Sequence, residues 1–212
     1  PVGKTTSQVN RQSQKVKGYS FGITAAALLY RDSVLLAQLY LEYRDWNVVK
    51  DAVIKDNLLQ IRTLAAQKRI YSEAYTRVKQ LSEEAMEILA NGTREEQCQI
   101  IWYAICMKYD FVREFALEVL AEKVKRQEFE ITISDFNLYY NTKAEFHEKL
   151  AGIAEGSRKK LQTNLFRMLV SSGITDSEMK LRLMIVSPRV RELIIKEGVL
   201  TPAIFPSVVM GY

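Results

Sequence analysis

The sequence predicts a mainly α fold: a multi-helix protein with helix-turn-helix or winged-helix-like elements and at most one short β-hairpin. Three observations predict it. Breakers are scarce, with 9 Gly and 4 Pro in 212 residues. Apolar residues recur at spacings of three and four along most of the chain. Ser, Thr and Asp stand just ahead of several of those stripes, where a side-chain oxygen caps the first free backbone N–H groups.

The elements follow in order. Residues 1–17 carry almost no apolar group and read as a flexible basic arm. Thr24 caps a helix to about Tyr43, with Leu28, Leu35, Leu36 and Leu39 on one face. Asp45 caps a short helix through about Asp56, and a turn covers Asn57 to Arg62. Thr63 caps the next helix, whose stripe runs Leu64, Tyr71, Ala74, Tyr75, Val78 and Leu81. Ser82 restarts a helix that stops at Asn91-Gly92. Thr93 and Glu96 have capping-box spacing for a helix to about Lys108. Asp110 opens another, through about Arg126.

Phe129 to Thr132 reads as a short strand or extended connector, and Ser134 caps a helix to about Leu150. Gly152 and Gly156 bracket a turn before a helix from Ser157 to about Ser172, closed by Gly173. Leu181 to Val186 has the alternation of a strand. Ser187 caps and Pro188 opens a last helix that Gly198 ends, and an irregular tail with Pro202 and Pro206 follows. The expected organisation is an arm (1–17), an N-terminal helical domain (18–91) and a C-terminal helical domain (92–212).

No membrane partner is expected. The longest apolar region, Phe21 to Leu41, is interrupted by Arg31 and Asp32. The polar N-terminal tail lacks the apolar block of an export signal. Cys98 and Cys106 lie eight residues apart on one helix, roughly 12 Å, too far for a disulfide, and read as core thiols of a cytoplasmic protein.

Nothing points to catalysis. His147 is the single histidine and reads as a polar helix-surface residue; no zinc spacing exists, so neither cofactor nor small-molecule substrate is expected. Gly3-Lys4-Thr5-Thr6 lacks the earlier glycine of a phosphate loop. Asp176, Glu178 and Lys180 imitate a nuclease triad, but fall in one short turn without a sheet to position them.

Charge is the strongest signal. Residues 1–17 carry a net +4, residues 18–151 a net −3 and residues 152–212 a net +4. Such asymmetry suggests an anionic partner. Arg158, Lys159 and Lys160 occupy the expected first turn of the 157–172 helix, where cations oppose the helix dipole and a phosphate would relieve them. Lys160, Asn164 and Arg167 would share its outward face, and Lys180 and Arg182 would sit on the wing of a winged helix. A second candidate is the 45–56 helix, the turn and the helix from Thr63, with Arg62, Gln67, Lys68 and Arg69 at the recognition end. Two other readings remain: solvated bases on ordinary helices, and a protein-docking face using Tyr103, Tyr109, Tyr139 and Tyr140.

The chain also resembles the BrxA family, a small component of BREX bacteriophage-defence systems. The residues that carry the resemblance are Gly18 through Thr24, Asp45-Trp46, Asn57-Leu58-Leu59-Gln60, Arg69-Ile70 and Arg77. They continue with Phe111 through Phe115, Ser157 through Leu161, Leu165 through Gly173, and Ser187-Pro188-Arg189. The resemblance implies a cytoplasmic, non-enzymatic helical protein that binds double-stranded DNA and works with other BREX proteins. These include a methyltransferase, an ATPase and a phosphatase-like protein. The family's likeness to NusB, an RNA-binding factor, keeps RNA open as a ligand. No catalytic motif comes with it.

Overall fold

Among the described residues, side-chain caps set five of the helix starts. Asp45 Oδ1 accepts from the Asn47 N–H at 2.7 Å, Thr63 Oγ1 from Ala66 at 3.3 Å, and Ser82 Oγ from Ala85 at 3.1 Å. Thr93 and Glu96 cap each other reciprocally. The computed structural model describes residues 18–23 and 28–211. Its helices are α1 (Tyr30–Tyr43), α2 (Trp46–Lys55), α3 (Leu64–Val78), α4 (Glu83–Asn91), α5 (Arg94–Lys108), α6 (Asp110–Phe115) and α7 (Ala121–Lys125). A π-helical turn, Ala116–Leu120, joins α6 to α7. There follow α8 (Ile133–Phe146), α9 (Glu148–Ala151), α10 (Glu155–Ser171), α11 (Pro188–Glu197) and two short 3-10 turns, Pro202–Ile204 and Pro206–Met210. The mainly helical expectation holds. The basic arm and the Thr24 cap lie outside the described residues.

Several boundaries differ from expectation, each for a local reason. The first helix begins at Tyr30, because Leu29 before it is left-handed (φ 56°). Thr132, not Ser134, caps α8: its hydroxyl takes the Asp135 N–H, and the Asp135 carboxylate takes the Thr132 N–H at 2.7 Å. His147 is extended (φ −130°, ψ 92°) and splits the expected 134–150 helix into α8 and α9. It stacks on Tyr19 at 3.6 Å rather than lying on a helix surface. The α10 helix starts at Glu155, two residues early, so Gly156 is inside it.

The expected strand at Leu181 to Val186 does not form, and of the two readings of Phe129 to Thr132 the connector holds rather than the strand. Among the described residues there are only isolated bridges, Glu130 to Lys180 and Thr175 to Leu181. Asp176 Oδ1 accepts from the Glu178 and Lys180 N–H groups, which knots residues 176–180 into a tight turn. Beyond it, side chains rather than a neighbouring strand take up the carbonyls: Ser207 bonds Met184 O, and Gln99 bonds Ile185 O. The segment is extended but has no ladder, so the wing of a winged helix is missing.

The main core runs from Ile23 to Phe205, with α5 through its middle; Ile100 to Cys106 are all buried. The tail that reads as irregular joins this core. Ile204 and Phe205 are fully buried, and Trp102 Nε1 donates to Ile204 O at 2.9 Å. Tyr103, Tyr109, Tyr139 and Tyr140 are buried too, which removes the proposed aromatic docking face. Each hydroxyl has an internal acceptor: Glu197, Glu73, Phe111 O and Leu150 O respectively. Both cysteines are free thiols; Cys106 is buried, which pushes its thiol up, and Cys98 is half-buried. A smaller apolar cluster, Leu36, Val49, Val53, Tyr71 and Ala74, joins α1, α2 and α3. Among the described residues no helix is long and apolar enough to cross a membrane, and no group of side chains could hold a metal.

Gly92 ends α4 in an extended conformation rather than a left-handed one, and its role is close approach. A Cβ there would stand 2.5 Å from Ile88 O. Gly92→Ala is expected to destabilise the protein by about 1–3 kcal/mol, as forced overpacking does. A melting temperature unchanged by that substitution would count against this reading.

Candidate nucleic-acid interface

Residues 18–23 form an extended strap that ties three helices together. Ser20 anchors it at α6: its N–H and hydroxyl both reach Asp110 Oδ2 (2.9 and 2.8 Å), and Phe111 N–H returns to Ser20 O. Burial raises the Asp110 carboxyl, but the Ser20 bonds and the Arg113 guanidinium outweigh that, and it titrates below its usual range. Tyr19 lies on His147 and donates to Glu114. Asn164 of α10 donates to Ile23 O at 2.8 Å.

This strap forms one wall of a groove of about 510 Å³. Phe21, Gly22, Ile23, Ile153 and Leu161 line it, together with Arg69 from α3 and Ser157 and Lys160 from α10. One base from each of two clusters far apart in sequence therefore lines the same hollow. Arg69 and Lys160 are exposed, and neither has an ion-pair partner among the described residues. Cations left without carboxylates beside a concave surface suit an anionic ligand.

The other sequence candidates divide. Arg62 and Lys68 are exposed beside Arg69 at the start of α3. Gln67 is not a reader: it is buried, and its amide donates to Val53 O at 2.9 Å, tying α3 to α2. Asn164 is not outward either; it is 5% exposed and holds the strap. The helical phase that buries Leu161, Leu165 and Leu169 carries Asn164 inward with them. Arg158 turns toward α8, donating to Asn137 at 2.9 Å and lying 4.4 Å from the Tyr140 ring centroid. Lys159 pairs with Glu155 at 3.6 Å, and Lys180 with Glu178 at 2.8 Å. Arg167 is exposed on α10. Arg182 lines a different hollow with Arg94 and Cys98.

The helix-start argument for Arg158, Lys159 and Lys160 also changes. With α10 beginning at Glu155, the first turn holds an acid, and the bases sit one turn further in. The dipole effect fades within that first turn. What recommends Lys160 is that it lines the same hollow as Arg69. Sequence reasoning missed the strap as a groove wall; the run from Gly18 to Thr24 was its only trace.

Asn164→Leu is expected to cost about 1–3 kcal/mol, by leaving the buried Ile23 carbonyl without its donor. Chemical denaturation reads this. Unchanged stability would mean that the strap does not depend on Asn164.

A family model for BrxA matches residues 17–198. The chain belongs to the BrxA family. Among BrxA relatives it is 23% identical over 161 residues to the "BREX protein BrxA" of Escherichia coli O9:H4 (strain HS), covering 76% of each chain. It is 28% identical over 163 residues to the "BREX protein BrxA" of Bacillus cereus (strain H3081.97), covering 75% of this chain and 80% of that one. The fold is similar to the crystal structure of an uncharacterized protein from Magnetospirillum magneticum, with a TM-score of 0.77 at 17% identity, over 91% of this chain and 98% of that one. BrxA membership places the chain in BREX phage-defence systems. The matched region includes the strap, α3 and α10.

Proposed function

We propose that this chain is a non-enzymatic, cytoplasmic accessory protein of BREX that binds double-stranded DNA through the groove between α3 and α10. The observation that carries the reading is that Arg69 and Lys160 line one hollow. Lys68 on α3, Arg167 on α10 and Arg62 just ahead of α3 add further exposed positive charge, and none has an ion-pair partner among the described residues. The α2–turn–α3 unit would then approach the duplex as a helix-turn-helix does, with α10 in support. Phosphate contacts dominate this reading, which predicts weak sequence preference and strong salt dependence. In a salt titration with random duplex, affinity falls steeply as salt rises. A flat response would exclude a phosphate-binding surface. Competition among duplex DNA, single-stranded DNA and RNA ranks the duplex first on this reading, and an RNA preference would displace it.

A second role, contact with other BREX proteins, draws support from α8. Leu138 and Phe146 are 72% and 76% exposed there, unusual for large apolar side chains. Co-purification that survives nuclease treatment and fails in Leu138→Asp/Phe146→Asp would support this contact.

A further inference from the structure

A second hollow, of about 480 Å³, opens between α2 and α3. Trp46, Tyr71 and Tyr75 line it, with Lys50, Lys68 and Asn47 beside them. No carboxylate among the described residues lines it.

The rings are held in place by one another. Tyr40 covers one face of Trp46 nearly in parallel, at 4.3 Å and 16°. Tyr75 meets Trp46 edge-on at 5.1 Å, and lies parallel to Tyr71 at 5.7 Å. Asp45 caps α2 and so fixes Trp46 as its first residue. Tyr71 is buried in the small core, while Trp46 and Tyr75 stay partly open. Lys50 and Lys68 are exposed, and neither has an ion-pair or hydrogen-bond partner among the described residues.

This combination selects its ligand. An apolar ligand has no use for two free cations, and a bare phosphate has no use for three rings. A flat π system carrying a phosphate uses both, and the volume falls in the range of small-ligand pockets. Aromatic platforms with cationic edges hold unstacked bases with little regard to sequence. We infer that the α2–α3 cleft holds one unstacked nucleobase with its phosphate, at a single-stranded end or as a free nucleotide. The inference stands on the cleft's own lining and does not depend on duplex binding at the other groove.

Tryptophan emission tests it. The chain has two tryptophans, and Trp102 is 1% exposed, so an added ligand reports through Trp46. The probes are 5′-phosphorylated pentathymidylate and thymidine monophosphate, added to the intact protein. Quenching by the pentamer alone assigns a strand end; quenching by the mononucleotide alone assigns a free nucleotide. Trp46→Phe should remove the signal. Lys50→Glu with Lys68→Glu, both surface changes, should raise the half-quenching concentration about tenfold or more. Lys160→Glu should leave it within about twofold. Unchanged emission with both probes, or quenching indifferent to the two lysine changes, overturns the cleft. Because duplex affinity is measured separately, loss of one site does not stand for loss of the other.

Discussion

Arg77→Leu is expected to destabilise the protein by about 3–5 kcal/mol, the range for breaking a buried ion pair from one side. For a chain of this size that lowers the melting temperature by about 6–20 °C. Arg77 is fully buried. It bonds Glu73 Oε1 through Nε at 3.1 Å and through its terminal nitrogen at 3.0 Å, and it donates to Leu28 O at 3.3 Å. Glu73 also accepts from Lys108 at 3.0 Å and from the Tyr109 hydroxyl. Removing the guanidinium leaves a carboxylate in the interior with fewer charges to balance it, and leaves the Leu28 carbonyl short of a donor. The effect should be non-additive: Glu73→Leu with Arg77→Leu should cost less than the two single changes summed. Thermal unfolding followed by circular dichroism reads both. A melting temperature within about 3 °C of the parent for Arg77→Leu would show that the cluster contributes little.

Arg69→Glu with Lys160→Glu is expected to weaken binding to random duplex on the order of 100-fold at about 50 mM salt. Each lost phosphate contact removes a slope of about 0.9 in log affinity against log salt. The double variant should therefore show a shallower salt dependence, by about 2 in slope. All duplex sequences should suffer alike. Both residues are on the surface, so folding should persist. Lys159→Glu is the control, since Lys159 already pairs with Glu155, and its effect should be smaller. An unchanged slope in the double variant would move the duplex contact away from this groove.

The helices could be read from the chain wherever a stripe and a cap agreed. Asp45, Thr63, Ser82 and Thr93 all cap helices as expected, because capping is decided within four residues, and Pro188 opens one although the Ser187 hydroxyl donates to Glu96 instead of capping it. Some helix ends missed by a few residues for local reasons, but the larger failures came where distant partners decide. Leu181 to Val186 has a strand's pattern, but its carbonyls are met by Ser207 and Gln99 rather than a second strand. Gln67 and Asn164 look like surface readers on a helical wheel. They are buried because each serves a backbone carbonyl on another element. For the site, sequence charge located both basic helices. That each lends a base to one groove was hidden, since it depends on a strap whose contacts lie 90 to 141 positions away.

That separation bears on how the molecule is made. A ribosome releases the strap before any of its partners. Its bond to Asp110 must wait for α6, and its bond to Asn164 for α10. Contacts this far apart in sequence form late and slow the search for the native state. The nascent chain therefore carries Arg69 and an unfinished groove wall through most of its synthesis. The pair of cations exists only once α10 has emerged and seated, so a truncated product would present the bases of α3 without the hollow that gives them a shape to fit.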